Sequence, residues 1–200
     1  MRIILASRNS GKLREVREIL HPLGIEVVSL DEAGLGPEAE IEETGQTFEE
    51  NALQKAEGIR KITGGWVLAD DSGLEVDALE GRPGVFSARY AGERLRGAER
   101  DRANFLKVLS ELSGVPEGQR TARFVCVLAL VGANTQIVCR GVCEGRIGFE
   151  PRGNNGFGYD PIFIPRGWRK TMAELTADEK NAISHRGQAL QQLARELSKK

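Results

Sequence analysis

The sequence predicts a mixed α/β fold, and three observations support this prediction. A short apolar run at residues 2–6 precedes a segment with apolar residues at helical spacing, and a second apolar run follows at residues 25–30. Strand, helix and strand in this order form a βαβ unit, which is typical of α/β proteins. Two longer apolar runs, at residues 124–131 and 136–144, follow each other as antiparallel neighbours do. The length of 200 residues suits a single domain, which we assign to residues 1–200.

The first half of the chain is predicted to continue this alternation of helices and strands. The helix between the first two strands is expected over residues 12–20, where the apolar side chains fall on one face. Thr47 and Glu50 have the spacing of a capping box, so a second helix is expected over residues 48–61. A buried strand is predicted over residues 66–69, and the Ser-Gly pair that follows is expected to end it.

The second half adds further elements to the same architecture. We expect a helix over residues 101–112, a short strand over residues 160–165 and a partly helical polar segment at residues 179–183. Ser184 is suited to begin a last helix with an apolar stripe. Together these elements predict a long, curved mixed sheet with flanking helices in two lobes around a central cleft, which is a common place for a ligand.

The composition excludes several functional classes. The formal net charge is −1, which gives no general attraction for polymeric nucleic acid, so any anion site must be local. No stretch approaches the ~20 apolar residues of a membrane span, and the first residues do not have the pattern of a signal peptide. The three cysteines, an odd number without a CxxC pair, indicate reduced thiols in a cytoplasmic protein.

The most informative local feature is the pair Asp70-Asp71, which follows the predicted strand over residues 66–69. Two adjacent negative charges at a strand end are costly unless a positive or polar group receives them. A Mg²⁺ ion is suited to this task, because it binds through one or two carboxylates together with substrate phosphates. The alternative is a solvated acidic turn, and the pair alone does not exclude it.

A second candidate site is the turn Ser7-Arg8-Asn9-Ser10-Gly11-Lys12 between the first strand and the first helix. Such a turn presents backbone N–H groups and the positive end of the helix dipole to an anion. Gly11 allows close backbone approach, and Lys12 adds a mobile positive charge. The turn is not a Walker A loop, because Ala6 and Leu13 stand where a glycine and a hydroxyl residue are required. The alternative is an ordinary helix cap with a solvated lysine.

A third candidate site is the segment Gly153-Asn154-Asn155-Gly156-Phe157-Gly158-Tyr159-Asp160-Pro161. Its glycines and asparagines are typical of tight turns with positive φ angles. Aromatic side chains can stack on a planar base while the backbone forms hydrogen bonds with its edge. The alternative is a β-turn with both aromatic side chains in the core. From the residues alone we expect Phe157 in the core and Tyr159 and Asp160 at a ligand.

Two further groups of charged residues could complete an anion site. Lys180, His185 and Arg186 lie near the start of the predicted last helix, where positive charges are unfavourable for helix stability and favour a binding role. The pair Glu42-Glu43 precedes the helix that carries Lys55. Exposed acidic runs are usually solvated, so this pair is either a metal-binding group or a solvated loop, and the lysine points either into a cleft or into water.

Seven short motifs follow one another along the chain and are more specific together than any one of them alone. They are Ser7-x-Asn9-x-x-Lys12, Glu42-Glu43-Thr44-Gly45, Phe48-x-x-Asn51-Ala52-x-x-Lys55-Ala56, Ala69-Asp70-Asp71-Ser72-Gly73-Leu74, Pro83-Gly84-x-x-Ser87-Ala88-Arg89-Tyr90, Gly156-Phe157-Gly158-Tyr159-Asp160-Pro161 and Ser184-His185-Arg186. With these motifs the chain resembles the inosine/xanthosine triphosphate pyrophosphatase family, also called the Ham1-like family, over roughly residues 2 to 197.

The resemblance implies an enzyme, a nucleoside-triphosphate pyrophosphatase. Members of the family hydrolyse deaminated purine nucleoside triphosphates (ITP, dITP and XTP) to the monophosphate and pyrophosphate, which removes these nucleotides from the pool. The resemblance also implies Mg²⁺ as the cofactor, a homodimer and a long central sheet between two lobes. No polymeric nucleic acid and no membrane is expected as a partner.

The resemblance assigns a role to each candidate residue. Asp71 would be the general base and a metal ligand, Glu42 would join the metal shell, and Asp70 would support its neighbour. The turn before the first helix would hold the triphosphate together with a lysine of the second helix, and the glycine-rich segment and the last helix would contact the purine. The implied substrate-binding residues are Ser7, Arg8, Asn9, Ser10, Gly11, Lys12, Lys55, Ser72, Phe157, Gly158, Tyr159, Asp160, Lys180, His185 and Arg186.

Two other functions stay open from the sequence. A related pyrophosphatase of similar fold could act on nucleotides in general or on pyrimidines, although Tyr159 and the pair His185-Arg186 favour purines. A non-catalytic nucleotide sensor would keep Lys12 and the aromatic segment but would not need the pair Asp70-Asp71 or Glu42. The products formed from a panel of nucleotides would distinguish these functions.

Overall fold

The computed structural model of the protein describes residues 1–39 and 41–199. Within these residues, the strands form one six-stranded sheet in the order β2-β1-β3-β4-β5-β6. The strands are β1 (Arg2–Leu5), β2 (Glu26–Val28), β3 (Trp66–Val76), β4 (Thr121–Val131), β5 (Gln136–Ile147) and β6 (Phe163–Pro165). β1 pairs in parallel with β2 and β3, whereas β5 and β6 are antiparallel. The sheet is therefore mixed, as the sequence predicts.

Helices accompany the strands in the predicted order. They are α1 (Ser10–Leu20), α2 (Phe48–Thr63), α3 (Gly97–Glu111), α4 (Ala177–Ile183) and α5 (His185–Leu197). The βαβ unit of β1, α1 and β2 and the neighbouring runs β4 and β5 are present, so the predicted α/β class is confirmed. No helix in the described part of the chain is long and apolar enough to cross a membrane. The predicted central cleft stays a prediction.

The strand that carries the two aspartates is longer than the sequence suggests. We expected it to end at residue 69, but β3 continues through Asp70, Asp71, Ser72 and Gly73 to Val76. The expectation rested on the end of the apolar run at residue 69 and on the Ser-Gly pair that follows, and a sheet position for the two charges would be costly without partners. That cost is offset, since each carboxylate has positive and polar partners from neighbouring helices, as described below. The aspartate pair therefore lies inside a strand and not in a turn.

Other elements also differ from their predicted bounds, among them α3, β4 and β6. α3 begins at Gly97 and not at residue 101. Its N-cap Arg96 makes no side-chain capping bond, so the sequence contains no capping residue that would mark this start. β4 begins at Thr121, three residues before the apolar run. β6 begins at Phe163 because the preceding residues form a turn, in which the Ile162 N–H group donates to the Tyr159 carbonyl oxygen at 3.1 Å.

The chain divides into two compact units, each with its own apolar core. Unit 1 comprises Met1–Asp71, Cys126–Gly141 and His185–Lys200. Its core contains the buried side chains Ile3, Leu5, Val16, Leu20, Leu68, Leu128, Leu130, Leu190 and Leu193. Side chains from β1, β3, β4, α1 and α5 thus meet in this core, which holds the carboxyl end of β1 and the starts of α1 and α5 in place.

Unit 2 comprises Ser72–Val125 and Val142–Ser184. Its core includes the buried side chains Leu74, Val76, Val108, Leu112, Phe124, Ile147, Tyr159, Ile162, Phe163, Met172 and Leu175. The rings of Phe124 and Phe163 lie 4.4 Å apart, centroid to centroid. This core fixes α3 and the residues that follow the glycine-rich segment.

Candidate active site

Asp70 is completely buried and lies among positive charges. Its Oδ1 atom is 2.6 Å from the Lys12 Nζ atom, and its Oδ2 atom accepts a hydrogen bond from Arg186 Nε at 2.6 Å. The Cys126 thiol also donates to Oδ2, at 3.4 Å. Burial alone would raise the pKa of this carboxyl, but the guanidinium and ammonium groups hold the pKa well below its ordinary value. Asp70 is therefore suited to act as a negatively charged counter-ion for these groups.

The buried charge network extends from Arg186 to a second carboxylate. Arg186 is only 1% exposed, and its NH1 atom donates to Glu15 Oε2 at 2.5 Å. Glu15 is itself buried and lies on α1, three residues after Lys12. The two carboxylates explain why a positive charge is tolerated in the first turn of α5, where the helix dipole disfavours it.

Asp71 points to the other face of β3, as successive residues of a strand do. It is 6% exposed, and its Oδ2 atom accepts a hydrogen bond from Asn51 Nδ2 at 3.1 Å. The Lys55 Nζ atom lies 3.4 Å from Oδ1. Burial raises the pKa of the Asp71 carboxyl, and the charges of Lys55 and Lys12 offset only part of that effect. Asp71 thus binds a proton more readily than an ordinary aspartate.

Lys55 connects Asp71 with the loop before α2. Its ammonium group donates to Glu43 Oε1 at 2.9 Å and to the Asp70 backbone carbonyl oxygen at 3.0 Å. Burial lowers the pKa of this lysine, but the negative charges of Asp71 and Glu43 more than compensate, so its pKa is raised. Lys55 therefore stays charged next to the Asp71 carboxyl.

The start of α2 places Asn51 and Lys55 beside β3. The predicted capping box is confirmed: Thr47 Oγ1 accepts the Glu50 N–H at 3.1 Å, and the Glu50 carboxylate accepts the Thr47 N–H at 3.3 Å. Asn51 and Lys55 are four residues apart and lie on the same face of the helix. The Asn51 Oδ1 atom also accepts the Gly45 N–H at 2.8 Å, which ties the preceding loop to the helix.

The turn before α1 uses several of its polar side chains internally. Asn9 is the N-cap of α1 and accepts the Lys12 N–H at 3.1 Å, and Ser7 Oγ accepts the Asn9 N–H at 3.2 Å. Arg8 donates to the Asp31 carboxylate and to the Leu35 carbonyl oxygen, so it ties the turn to the loop after β2. Its predicted role as an extra phosphate contact stays a prediction. Ser10 is exposed and Gly11 half-buried at the start of the helix.

The glycine-rich segment of unit 2 is held by a buried carboxylate. Asp160 Oδ2 accepts the Phe157 N–H at 2.9 Å and lies 2.6 Å from the Lys180 Nζ atom. Gly156 has a φ angle of +77°, and a Cβ atom there would lie 2.0 Å from the same oxygen. Only glycine fits this position, because any side chain would displace the carboxylate that organises the segment.

The two aromatic side chains of this segment are placed opposite to the expectation from the residues. Tyr159 is 5% exposed in the core of unit 2, and its hydroxyl donates to the Ser87 carbonyl oxygen at 2.8 Å. Burial raises the pKa of this hydroxyl strongly. Phe157 is half-buried, with the Lys180 Nζ atom 4.9 Å from its ring centroid. Phe157 is therefore the aromatic side chain of this segment that a planar ligand can contact.

The start of α5 packs closely on β5 within unit 1. His185 and Arg186 are both buried. A Cβ atom at Gly141 would lie 2.0 Å from the His185 carbonyl oxygen and 2.8 Å from the Ala189 nitrogen. The glycine thus allows the helix backbone to approach the strand, which brings Arg186 to Asp70.

This set of motifs and geometry corresponds to a known family. The model of the family described as "Ham1 family" matches residues 3–196, which is nearly the whole chain. The chain is 57% identical over 196 residues to the dITP/XTP pyrophosphatase of Bacillus subtilis, with 97% of this chain and 96% of that protein covered.

The chain belongs to the Ham1 family.

Solved structures agree with this assignment. A HAM1 protein from Coxiella burnetii is 48% identical and has a TM-score of 0.87, with 100% of both chains covered. The Ham1 protein of Staphylococcus aureus is 42% identical with a TM-score of 0.85, and 99% of this chain and 98% of that chain are covered. The resemblance inferred from the motifs is confirmed, and with it the mixed sheet with flanking helices.

The predicted metal ligands of this Ham1 protein are Asp71 on β3 and Glu42 in the loop before α2. Across residues 1–39 and 41–199, no group of three or more His, Cys, Asp and Glu side chains is arranged as a metal site. Mg²⁺ does not require such a group, since it binds through one or two carboxylates, water and substrate phosphates. Asp71 fits this donor set. Glu42 is exposed, and Glu43 is the residue of that pair that contacts Lys55. Glu42 as a ligand stays a prediction.

Two residues that hold the candidate site residues in place were not predicted from the sequence. Glu15 compensates Arg186, and Asp101 on α3 accepts the Gly158 N–H at 2.9 Å. The only signal for Glu15 was a charged residue one helical turn after Lys12, directly before the apolar Val16. For Asp101 the sequence offers no comparable signal. Ser72, predicted to lie beside the substrate, is half-buried on β3 in unit 2.

Proposed function

We propose that this protein hydrolyses deaminated purine nucleoside triphosphates, namely ITP, dITP and XTP, to the monophosphate and pyrophosphate. Relatives that are 48–57% identical over nearly the whole chain carry the name dITP/XTP pyrophosphatase. The observation that carries the proposal on this chain is the environment of Asp71. Its carboxyl is nearly buried, has a raised pKa and contacts one lysine, which suits a general base that acts on water.

In the proposed reaction, Asp71 accepts a proton from a water molecule that attacks the α-phosphorus. The new bond joins the water oxygen to this phosphorus, and the bond to the oxygen that bridges the α- and β-phosphorus atoms breaks. Pyrophosphate leaves with that oxygen and its electron pair. Lys12 and Lys55 stabilise the negative charge that develops on the phosphate oxygens.

Mg²⁺ is the cofactor that we propose for this reaction, with Asp71 and Glu42 as its protein ligands. When bound, it neutralises charge on the phosphate oxygens. The pairing of Asp70 with Arg186 supports a role of Lys12 in binding the substrate phosphates. Because Asp70 keeps the guanidinium as a partner, the Lys12 ammonium can leave Asp70 for a phosphate without isolating a buried charge.

The discrimination against adenine nucleotides has a simple physical basis in this proposal. Hypoxanthine and xanthine carry a keto oxygen at position 6, whereas adenine carries an amino group. A donor held at that position by Lys180, His185 or the backbone would have no partner when adenine is bound. Such a mismatch can reduce kcat/KM by ~10⁴-fold. Phe157 would stack on the base, and Arg186 would act through Asp70, because its guanidinium is paired with two carboxylates.

Two further properties belong to the same proposal. We infer a homodimer from the family resemblance. We infer a cytoplasmic location from the three cysteines, which are all free and buried among the described residues.

A product assay tests the proposed function. The purified protein is incubated with ITP, XTP, GTP and ATP, with and without Mg²⁺, and pyrophosphate and orthophosphate are measured separately. We expect pyrophosphate from ITP and XTP only when Mg²⁺ is present. Equal rates with ATP would contradict the purine preference, orthophosphate would contradict the position of cleavage, and absence of any product would favour the nucleotide sensor.

A further inference from the structure

Asp101 is a residue of α3 to which neither the motifs nor the family resemblance assigns a role. Its Oδ2 atom accepts a hydrogen bond from the Gly158 backbone N–H at 2.9 Å. Its Oδ1 atom lies 3.0 Å from the Arg100 NH2 atom. The side chain is 20% exposed, so both contacts lie at the edge of unit 2 and are only partly solvated.

Asp101 is one of two carboxylates that hold neighbouring peptide groups of the glycine-rich segment. The Phe157 N–H donates to Asp160, and the next N–H along the chain, that of Gly158, donates to Asp101. The two peptide groups on either side of the Phe157 Cα atom are thus each fixed by a charge-assisted hydrogen bond. These bonds determine the φ and ψ angles of Phe157 and so the direction of its ring.

The segment needs this restraint because of its glycines. Gly156 and Gly158 have φ angles of +77° and +62°, in the left-handed region that glycine adopts at little cost. A segment with glycine on both sides of one aromatic residue has many conformations of similar energy. Without the Asp101 contact, the peptide between Phe157 and Gly158 keeps only the 3.3 Å bond in which the Phe157 carbonyl oxygen accepts the Asp160 N–H, so the ring is less firmly held beside Lys180.

We propose that Asp101 is a positioning residue for the purine site: it holds the Phe157–Gly158 peptide so that the Phe157 ring is ready to stack on the base. The inference rests on the proposed function, in which Phe157 contacts the purine. Asp101 itself contacts neither the substrate nor the reacting phosphorus in this account. Its loss should therefore weaken nucleotide binding and leave the chemical step nearly intact.

The test compares variants that remove the acceptor with variants that keep it. Asp101→Ala and Asp101→Ser remove an acceptor that reaches Gly158, whereas Asp101→Asn keeps an oxygen in nearly the same place. Glu99→Ala removes an exposed carboxylate from the same helix and is the matched control for charge. Arg100→Ala breaks the ion pair but leaves the hydrogen bond to Gly158. For each variant we would measure kcat and KM for ITP, the Kd of IMP and the melting temperature.

We expect Asp101→Ala and Asp101→Ser to raise KM for ITP and Kd for IMP about tenfold, with kcat changed less than about threefold. Asp101→Asn should restore most of the affinity. Glu99→Ala and Arg100→Ala should stay within about twofold of the unaltered protein, because neither touches the bond to Gly158.

Several results would overturn the inference. They are an unchanged KM in a folded Asp101→Ala protein, an equal effect of Arg100→Ala, and loss of the folded state in both the Ala and the Ser variant. The last result would assign Asp101 to stability alone. Failure of the proposed function is a separate outcome, since it would appear as absence of pyrophosphate release from ITP by the unaltered protein.

Discussion

Asp70 and Asp71 are neighbours on one strand, yet their surroundings are opposite in electrostatic character. Asp70 is completely buried between an ammonium and a guanidinium group, which lower its pKa strongly. Asp71 is buried beside one lysine and an amide, and its pKa is raised. The strand alone creates the difference, because it turns the two side chains to different faces and so to different helices.

The comparison shows how one buried pair of acids can serve two purposes. A carboxylate with two cationic partners has little reason to take a proton and acts as a fixed counter-ion. A carboxylate whose burial outweighs the effect of the nearby lysine charges can accept a proton, as a general base must. The aspartate pair is thus asymmetric in charge environment, and variants of the two residues are expected to have different effects.

The largest effect is expected for Asp71→Asn. The amide keeps the shape of the side chain but cannot accept a proton from water, so kcat for ITP should fall by ~10²–10⁴-fold. Nucleotide binding should change little, because the lysines and the purine contacts stay in place. Steady-state kinetics together with equilibrium binding of IMP measures both. Hydrolysis at a near-normal rate would remove Asp71 from the mechanism.

Asp70→Asn should act on stability before it acts on chemistry. It removes one of the two carboxylates that compensate the buried Arg186 guanidinium, and also the carboxylate that contacts the Lys12 ammonium, so we expect a loss of ~3 kcal/mol in the free energy of unfolding. Asp71→Asn is the matched control and should cost less than about 1 kcal/mol, because burial already disfavours the charged form there. Urea denaturation compares the two. Equal stabilities would contradict the assignment of Asp70 as the structural counter-ion.

The acidic pair Glu42-Glu43 before α2 allows a further test of the surroundings of Asp71. If Glu42 is the second metal ligand, Glu42→Gln should raise the Mg²⁺ concentration for half-maximal activity by roughly 10- to 100-fold. Glu43→Gln should leave the Mg²⁺ requirement nearly unchanged, because Glu43 is occupied by Lys55. Titration of activity with Mg²⁺ distinguishes the two. A larger shift for Glu43→Gln would exchange the roles of these residues.

The smallest effect is expected from the helix caps. Thr47→Ala and Thr176→Ala each remove a capping box and should each cost about 1 kcal/mol. Of the two capped helices, only α2 carries Asn51 and Lys55. Thr47→Ala should therefore lower kcat by up to about threefold with little change in KM. Thr176→Ala is the matched control and should instead act on KM through Lys180. The reverse pattern would contradict the division of roles.

Local features of this fold could be predicted from the sequence, whereas long-range pairing could not. The capping box at Thr47 and each element of the βαβ unit follow from residues that are close together in the sequence. Asp70 and Arg186, in contrast, are 116 positions apart. Nothing in the spacing of either residue indicates that they pair, and the strand was expected to end with the apolar run at residue 69.

The glycine-rich segment shows a second limit. Its composition indicates a tight turn, and the structure contains one. In this segment glycines alternate with the aromatic residues Phe157 and Tyr159. The pattern does not indicate which aromatic side chain enters the core, because the segment has neither strand nor helix periodicity. Burial of Tyr159 is tolerated because its hydroxyl donates to the Ser87 carbonyl oxygen, and this partner lies 72 positions away in the sequence.

Hydrolysis of ITP in ¹⁸O-labelled water tests the central claim most directly. Attack of water on the α-phosphorus, with Asp71 as the base, places the label in IMP and leaves pyrophosphate unlabelled. Mass spectrometry of the two products distinguishes this from attack at another phosphorus. We predict labelled IMP from the unaltered protein and from Asp71→Asn only a trace of product. Label in pyrophosphate, or release of orthophosphate, would contradict the account.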